Sequence, residues 1–227
     1  MIANWDGEAQ GVCSGLRVLQ MHLSASIDLM LEHAGESRHA ARIAAMRARF
    51  EERTGTYTPD DPWFEARSAA FWDDALTTQS FGSELEPLLD DGVRFWLEPL
   101  TRAHRGLFRV SAEKGGFRLE DAWSGAAFRV EATLGLADAL RRAGGFVDGR
   151  VVAARHDATV DVALLGGALF HAEDATGPIT ALIAVARERG LGRDAFLDAV
   201  LKMDLAFRAH SRVKAAFAYR KEALPRA

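Results

Sequence analysis

Leu16, Leu19, Leu23, Ile27 and Met30 recur at steps of three or four residues, which places them on one face of a helix over about 14–34. Ser14 offers a capping hydroxyl at its start and Gly35 a stop. Ile43, Met46 and Phe50 continue the same period and predict a second helix over Ser37–Arg53, ended by Gly55. Its other face carries Arg38, Arg42, Arg49 and Glu52. Asp61-Pro62 marks a third start, because proline needs no donor in the first turn and pushes Asp61 out of the helical region. Asp61 is therefore read as the cap, in preference to a Thr58–Asp61 capping box. That helix runs to about Leu76 with Phe64, Ser68, Phe71, Trp72 and Ala75 on one face. Ser83–Glu86 forms another capping-box pattern ahead of Leu85, Leu88, Leu89, Val93, Trp96 and Leu100, a helix weakened by Gly92 and Pro99.

At Leu107 the period changes to two. Phe108 and Val110 alternate with Arg109, Phe117 and Leu119 with Arg118 and Glu120, and Phe128 and Val130 with Arg129 and Glu131. Gly115-Gly116 and Asp121–Gly125 punctuate these runs, so an antiparallel meander with one apolar face is expected. A helix over Leu134–Arg142 follows, stopped by Gly144-Gly145, and then two more strands, Arg150–His156 and Thr159–Leu165, joined at Asp157-Ala158. Five short strands favour a small, partly closed barrel, since closure protects strand edges. Helical spacing returns over Pro178–Arg189 and Asp194–Arg220.

Among 227 residues, 48% are hydrophobic and 26% charged, the composition of a globular chain. The net charge of -4 does not favour polyanion binding. The signs are unevenly placed, however. Residues 57–98 hold ten acids and two bases, a net of -8, while residues 205–227 hold six bases and one acid, a net of +5. Arg208, Arg212, Lys214 and Arg220 are accordingly the candidate partner-binding residues if they face solvent, but the expected outcome is that they dock on the acidic segment 57–98 of the same chain.

No catalytic, cofactor or metal motif stands out. Cys13 is the lone cysteine, which excludes an internal disulfide and a cysteine-based zinc site. The histidines (His22, His33, His39, His104, His156, His171 and His210) form no H-E-x-x-H pattern. Asp60-Asp61, Asp73-Asp74, Asp90-Asp91 and Glu173-Asp174 are adjacent acids, and neighbours on a helix point about 100° apart rather than forming a dyad. Gly166-Gly167 lacks the lysine of a phosphate loop, and the Gly-x-Gly-x-x-Gly and Gly-x-Ser-x-Gly fingerprints are absent. Met1–Asp6 has no basic and apolar signal pattern, and Ala175–Ala186, broken by Gly177-Pro178, is too short to span a bilayer.

Gly106–Val110, Phe117–Asp121, Ser124-Gly125, Phe128–Val130 and Leu164–Phe170, with the upstream Pro62-Trp63-Phe64 to Phe71-Trp72 helix, resemble an uncharacterised group of bacterial cytoplasmic proteins. Some of that group also carry a SEC-C zinc motif. The resemblance covers about half the chain and rests on turn chemistry. The cysteines of the SEC-C motif are missing here, so no zinc follows from it, and the group brings no activity to carry over.

The expected architecture is α+β: a helical region over 1–105, a five-stranded antiparallel sheet or barrel over 106–176, and C-terminal helices over 177–227 packed on the rest. The leading functional expectation is a non-enzymatic interaction or regulatory protein of the cytoplasm, with another protein as partner, no cofactor and no membrane. The alternatives are an enzyme with a dispersed Asp/Glu/His site and a nucleic-acid binder acting through the basic C-terminal helix.

Overall fold

The computed structural model describes residues 21–131, 134–156, 159–210 and 214–226. Cys13, Ser14, Arg212 and the Asp157-Ala158 turn lie outside these residues. The fold is α+β, with helices before and after one antiparallel sheet. Helix α1 runs over 21–34 and, after a 3-10 turn at Ser37–His39, α2 spans Ala40–Thr54 and α3 Phe64–Thr77. Gly55 adopts a φ of 95° and ends α2 by donating its amide to the Glu51 carbonyl. Asp61 does not cap α3. The Asp61 carboxylate is taken by the Thr58 amide at 2.7 Å and by the Thr58 hydroxyl at 3.2 Å, and α3 starts two residues beyond the proline.

The helix expected after Ser83 is three short ones: α4 Phe81–Leu85, α5 Asp91–Arg94 and α6 Leu97–Thr101. Pro87 sits in a 3-10 turn, Leu89 is extended, and Asp90 restarts the helix by accepting from the Val93 amide at 2.9 Å. Ser83 lies inside α4, so the predicted capping box does not form.

The strands are β1 His104–Glu113, β2 Gly116–Asp121, β3 Ala127–Val130, β4 Val147–His156, β5 Thr159–Leu164 and β6 Leu169–Phe170, with α7 Leu134–Arg142 between β3 and β4. The order is β3-β2-β1-β4-β5, and β6 pairs with Val147-Asp148 of β4 as a sixth strand that the alternation did not reveal. Lys114-Gly115 makes the first hairpin turn, one residue earlier than expected. Gly115 takes the positive φ of 84°, while Gly116 joins the ladder where a Cβ would meet the Val130 carbonyl at 2.5 Å. The predicted apolar face is real. Val110, Leu119 and Phe128 form one cross-strand row and Phe117 pairs with Val130, all within a cluster that includes Phe108, Val151, Leu164 and Leu140 of α7. Edge strands β3 and β5 approach each other around this cluster, so the sheet curls toward a barrel plugged by α7.

Helices α8 Thr176–Glu188 and α9 Arg193–Arg208 cover the outer face. The continuous helix expected to Arg220 ends at Arg208, and Ala215–Ala218 forms a separate turn, α10, behind an extended Lys214. On that outer face Leu107 packs with α8 and α9, whereas Val152 and Ala154 pack with α1 to α6. Between these two apolar clusters the same face of the sheet presents Arg105, Asp148 and Arg150.

Candidate functional site

Arg105 and Arg150 are direct partners across the β1–β4 ladder, so two cations face the same side of the sheet. Such a pair is destabilising unless acids separate it. The helices supply the acids. Asp74 of α3 accepts from Arg150 Nη2 at 2.7 Å and from Arg53 Nη2 of α2 at 2.7 Å. Asp198 of α9 accepts from Arg53 Nη1 at 3.0 Å and from Arg105 Nη1 at 2.6 Å. Asp148 lies 3.7 Å from Arg105 Nε. The result is an alternating row, Arg150–Asp74–Arg53–Asp198–Arg105–Asp148, that ties both helical layers to the sheet. Burial pushes the Asp148 carboxyl above the usual range, against the pull of Arg105.

A cleft of about 180 Å³ opens beside this row, walled by Arg53, Arg105, Arg150 and Arg193, with Thr78 and Asp194 among its other lining residues. Arg193 at the start of α9 reaches Asp194 at 3.2 Å and His104 Nδ1 at 3.5 Å. The side chains of Arg105 and Arg150 are 7% and 5% exposed, yet Arg105 Nε and Nη2 and Arg150 Nε have no hydrogen-bond partner. The cleft wall is thus built largely of guanidinium groups. Sequence reasoning missed these residues, since an isolated Asp148 or Arg150 in a strand looks like a solvent face. Their signal was the run Val151-Val152-Ala153-Ala154, apolar on both faces, which marks a strand covered on both sides.

A second polar group joins β6 to the C-terminus. His171 Nδ1 lies 3.0 Å from the Tyr219 hydroxyl, which donates to Asp204 at 3.0 Å, and Arg208 Nε donates to the other Asp204 oxygen at 2.7 Å. Burial opposes the Asp204 charge, but His171 and Arg208 hold its pKa at about 2. His171 also lines a cavity of about 380 Å³ with Arg142 and Glu173. Arg208 thus engages its own helix and the Phe170 carbonyl at 2.5 Å, not an acid of residues 57–98. Lys214 and Arg220 are exposed on either side of α10, and neither they nor Arg208 line the cleft. Among the described residues, no group of three or more His, Cys, Asp or Glu is placed to hold a metal ion.

Asp121 anchors the turn after β2. Burial works against its charge, but hydrogen bonds from His104 (3.1 Å) and the Ser124 hydroxyl (2.5 Å), with the Trp123 and Ser124 amides, hold its pKa at about 2. Asp73 behaves oppositely: burial raises it to about 7, despite the Arg150 charge and the hydrogen bond from the Gly167 amide. The two signs predict two limbs in the pH profile of stability. The depressed Asp121 and Asp204 contribute about 2 kcal/mol each above pH 4, lost as pH falls toward 2. The raised Asp73 favours the folded state at low pH, and that contribution is lost as pH rises from about 4 through 7. Urea titrations across pH 2–8 should show both, with Asp121→Asn flattening the acid limb and Asp73→Asn the neutral one. An unchanged neutral limb in Asp73→Asn contradicts the assignment.

No protein-family model matches this chain, and neither a curated protein nor a solved structure matches it.

Proposed function

We propose that this chain is a non-enzymatic regulatory protein of the bacterial cytoplasm that acts on another protein, with the arginine cleft as its control point. The observation that carries the reading is the origin of the four wall arginines, which come from α2, β1, β4 and α9, while their acid partners come from α3, β4 and α9. Anything that engages one guanidinium redistributes bonds between elements far apart in the chain, which is how a local charge event reaches a distant surface. The resemblance to the SEC-C-related bacterial group and the lone Cys13 support the cytoplasmic setting. The charge of -4, and the placement of Arg208 at the end of α9 with Lys214 and Arg220 on either side of α10 rather than along one helix, favour protein over nucleic acid as partner. One observation favours the enzyme alternative: His171, hydrogen-bonded to Tyr219 and close to Asp204, borders a cavity.

The test is capture from source-cell extract, followed by rebinding of purified components. A partner that binds the wild-type chain and loses about tenfold or more in affinity with Arg193→Glu, at unchanged melting temperature, supports the reading. Conversion of a metabolite by the purified chain, abolished by His171→Gln, replaces it with the enzyme.

A further inference from the structure

We propose that the cleft binds a phosphoryl group, carried by free phosphate or by a small phosphorylated metabolite. The inference rests on the reading of the cleft as a recognition site and names what it recognises. Among the described residues Asp194 is the one acid that lines the cleft, whereas Asp74, Asp148 and Asp198 bond the arginines without lining it. An entering ligand therefore meets four guanidinium groups. Two of these, Arg105 and Arg150, are more than nine-tenths buried, so a group that reaches them is largely removed from water. In so sheltered a place the guanidinium groups make charge-assisted hydrogen bonds to an oxyanion that are stronger than neutral ones.

The number and origin of the arginines select the anion. Four forks on four elements enclose one small volume, which suits a tetrahedral group with three free oxygens better than a planar carboxylate with two. Asp194 at the wall accepts a hydroxyl from whatever carries the phosphoryl group. The volume of about 180 Å³ admits a phosphate on a short polyol and excludes a nucleic-acid strand.

The experiment is calorimetry and thermal melting of the full chain with inorganic phosphate, glycerol 3-phosphate and malonate. Both phosphates should bind and raise the melting temperature in a concentration-dependent way, with malonate at least tenfold weaker. Tighter binding of the ester identifies a phosphorylated metabolite as the source, and binding of inorganic phosphate alone identifies the free ion. Arg193→Gln, at the partly exposed wall, should weaken phosphate about tenfold while the unliganded melting temperature stays unchanged. Arg105→Lys, which keeps the charge and loses the fork, should weaken it too. Malonate binding without phosphate binding overturns the phosphoryl assignment and leaves the cleft as a recognition site. Silence from all three ligands, or phosphate binding indifferent to both substitutions, overturns the site itself, while the protein-partner reading stands or falls on its own capture experiment.

Discussion

Asp74→Ala should destabilise the chain by about 3–5 kcal/mol, the cost of leaving a buried charge without its partner. Asp74 is fully buried and accepts from Arg150, Arg53 and Gln79 at once. Its removal strands Arg150 in the interior, because Thr78 at 3.3 Å is only a neutral acceptor. For a chain of this length the loss corresponds to a fall of roughly 6–20 °C in melting temperature. Replacing the pair together, as Asp74→Leu with Arg150→Met, should recover much of it, since an apolar pair needs no compensation. A single substitution costing less than about 1 kcal/mol, the level of an exposed ion pair, contradicts a buried network.

Phe117→Ala should cost a similar amount, about 3–5 kcal/mol, for a different reason. The ring lies inside the curled sheet beside Val130 and under Arg141, 5.9 Å from its guanidinium carbon. Truncation opens a cavity in a closed space that has few ways to collapse. Urea unfolding measures the loss, and a negligible change means that the interior is not packed around this ring.

The contrast between these residues explains what the sequence made legible. Phe117 belongs to an alternating run, and alternation reports directly which face of a strand is covered. The helices over 40–54 and 64–77 were readable for the same reason, through Met46, Phe50 and Phe71. The failures fall where a single residue decides. Pro87 and the Asp90 cap cut one predicted helix into three, and α9 ends at Arg208, short of the Lys214 and Arg220 that the expected helix to Arg220 included. Strand β6 has two residues, too few for any period to show. The cleft was illegible for a deeper reason: its arginines sit at positions 53, 105, 150 and 193, and only the fold brings them together. Charge counted along the chain pointed instead to residues 205–227, where bases are dense in sequence but none of the described ones lines the cleft.

The span between Arg53 and Asp198 sets the order in which the protein is completed. They are 145 residues apart, and α2 also packs against α9. During synthesis at roughly 5–20 residues per second, Asp198 follows Arg53 by about 7–30 s. Throughout that interval the first helices have left the ribosome without the segment that covers them. Leu201 of α9 is a member of their apolar cluster, so the nascent helical layer carries an unfinished hydrophobic face, with Arg53 held by Asp74 alone of its two acids. The N-terminal helical layer thus reaches its final burial only once α9 is available to close it.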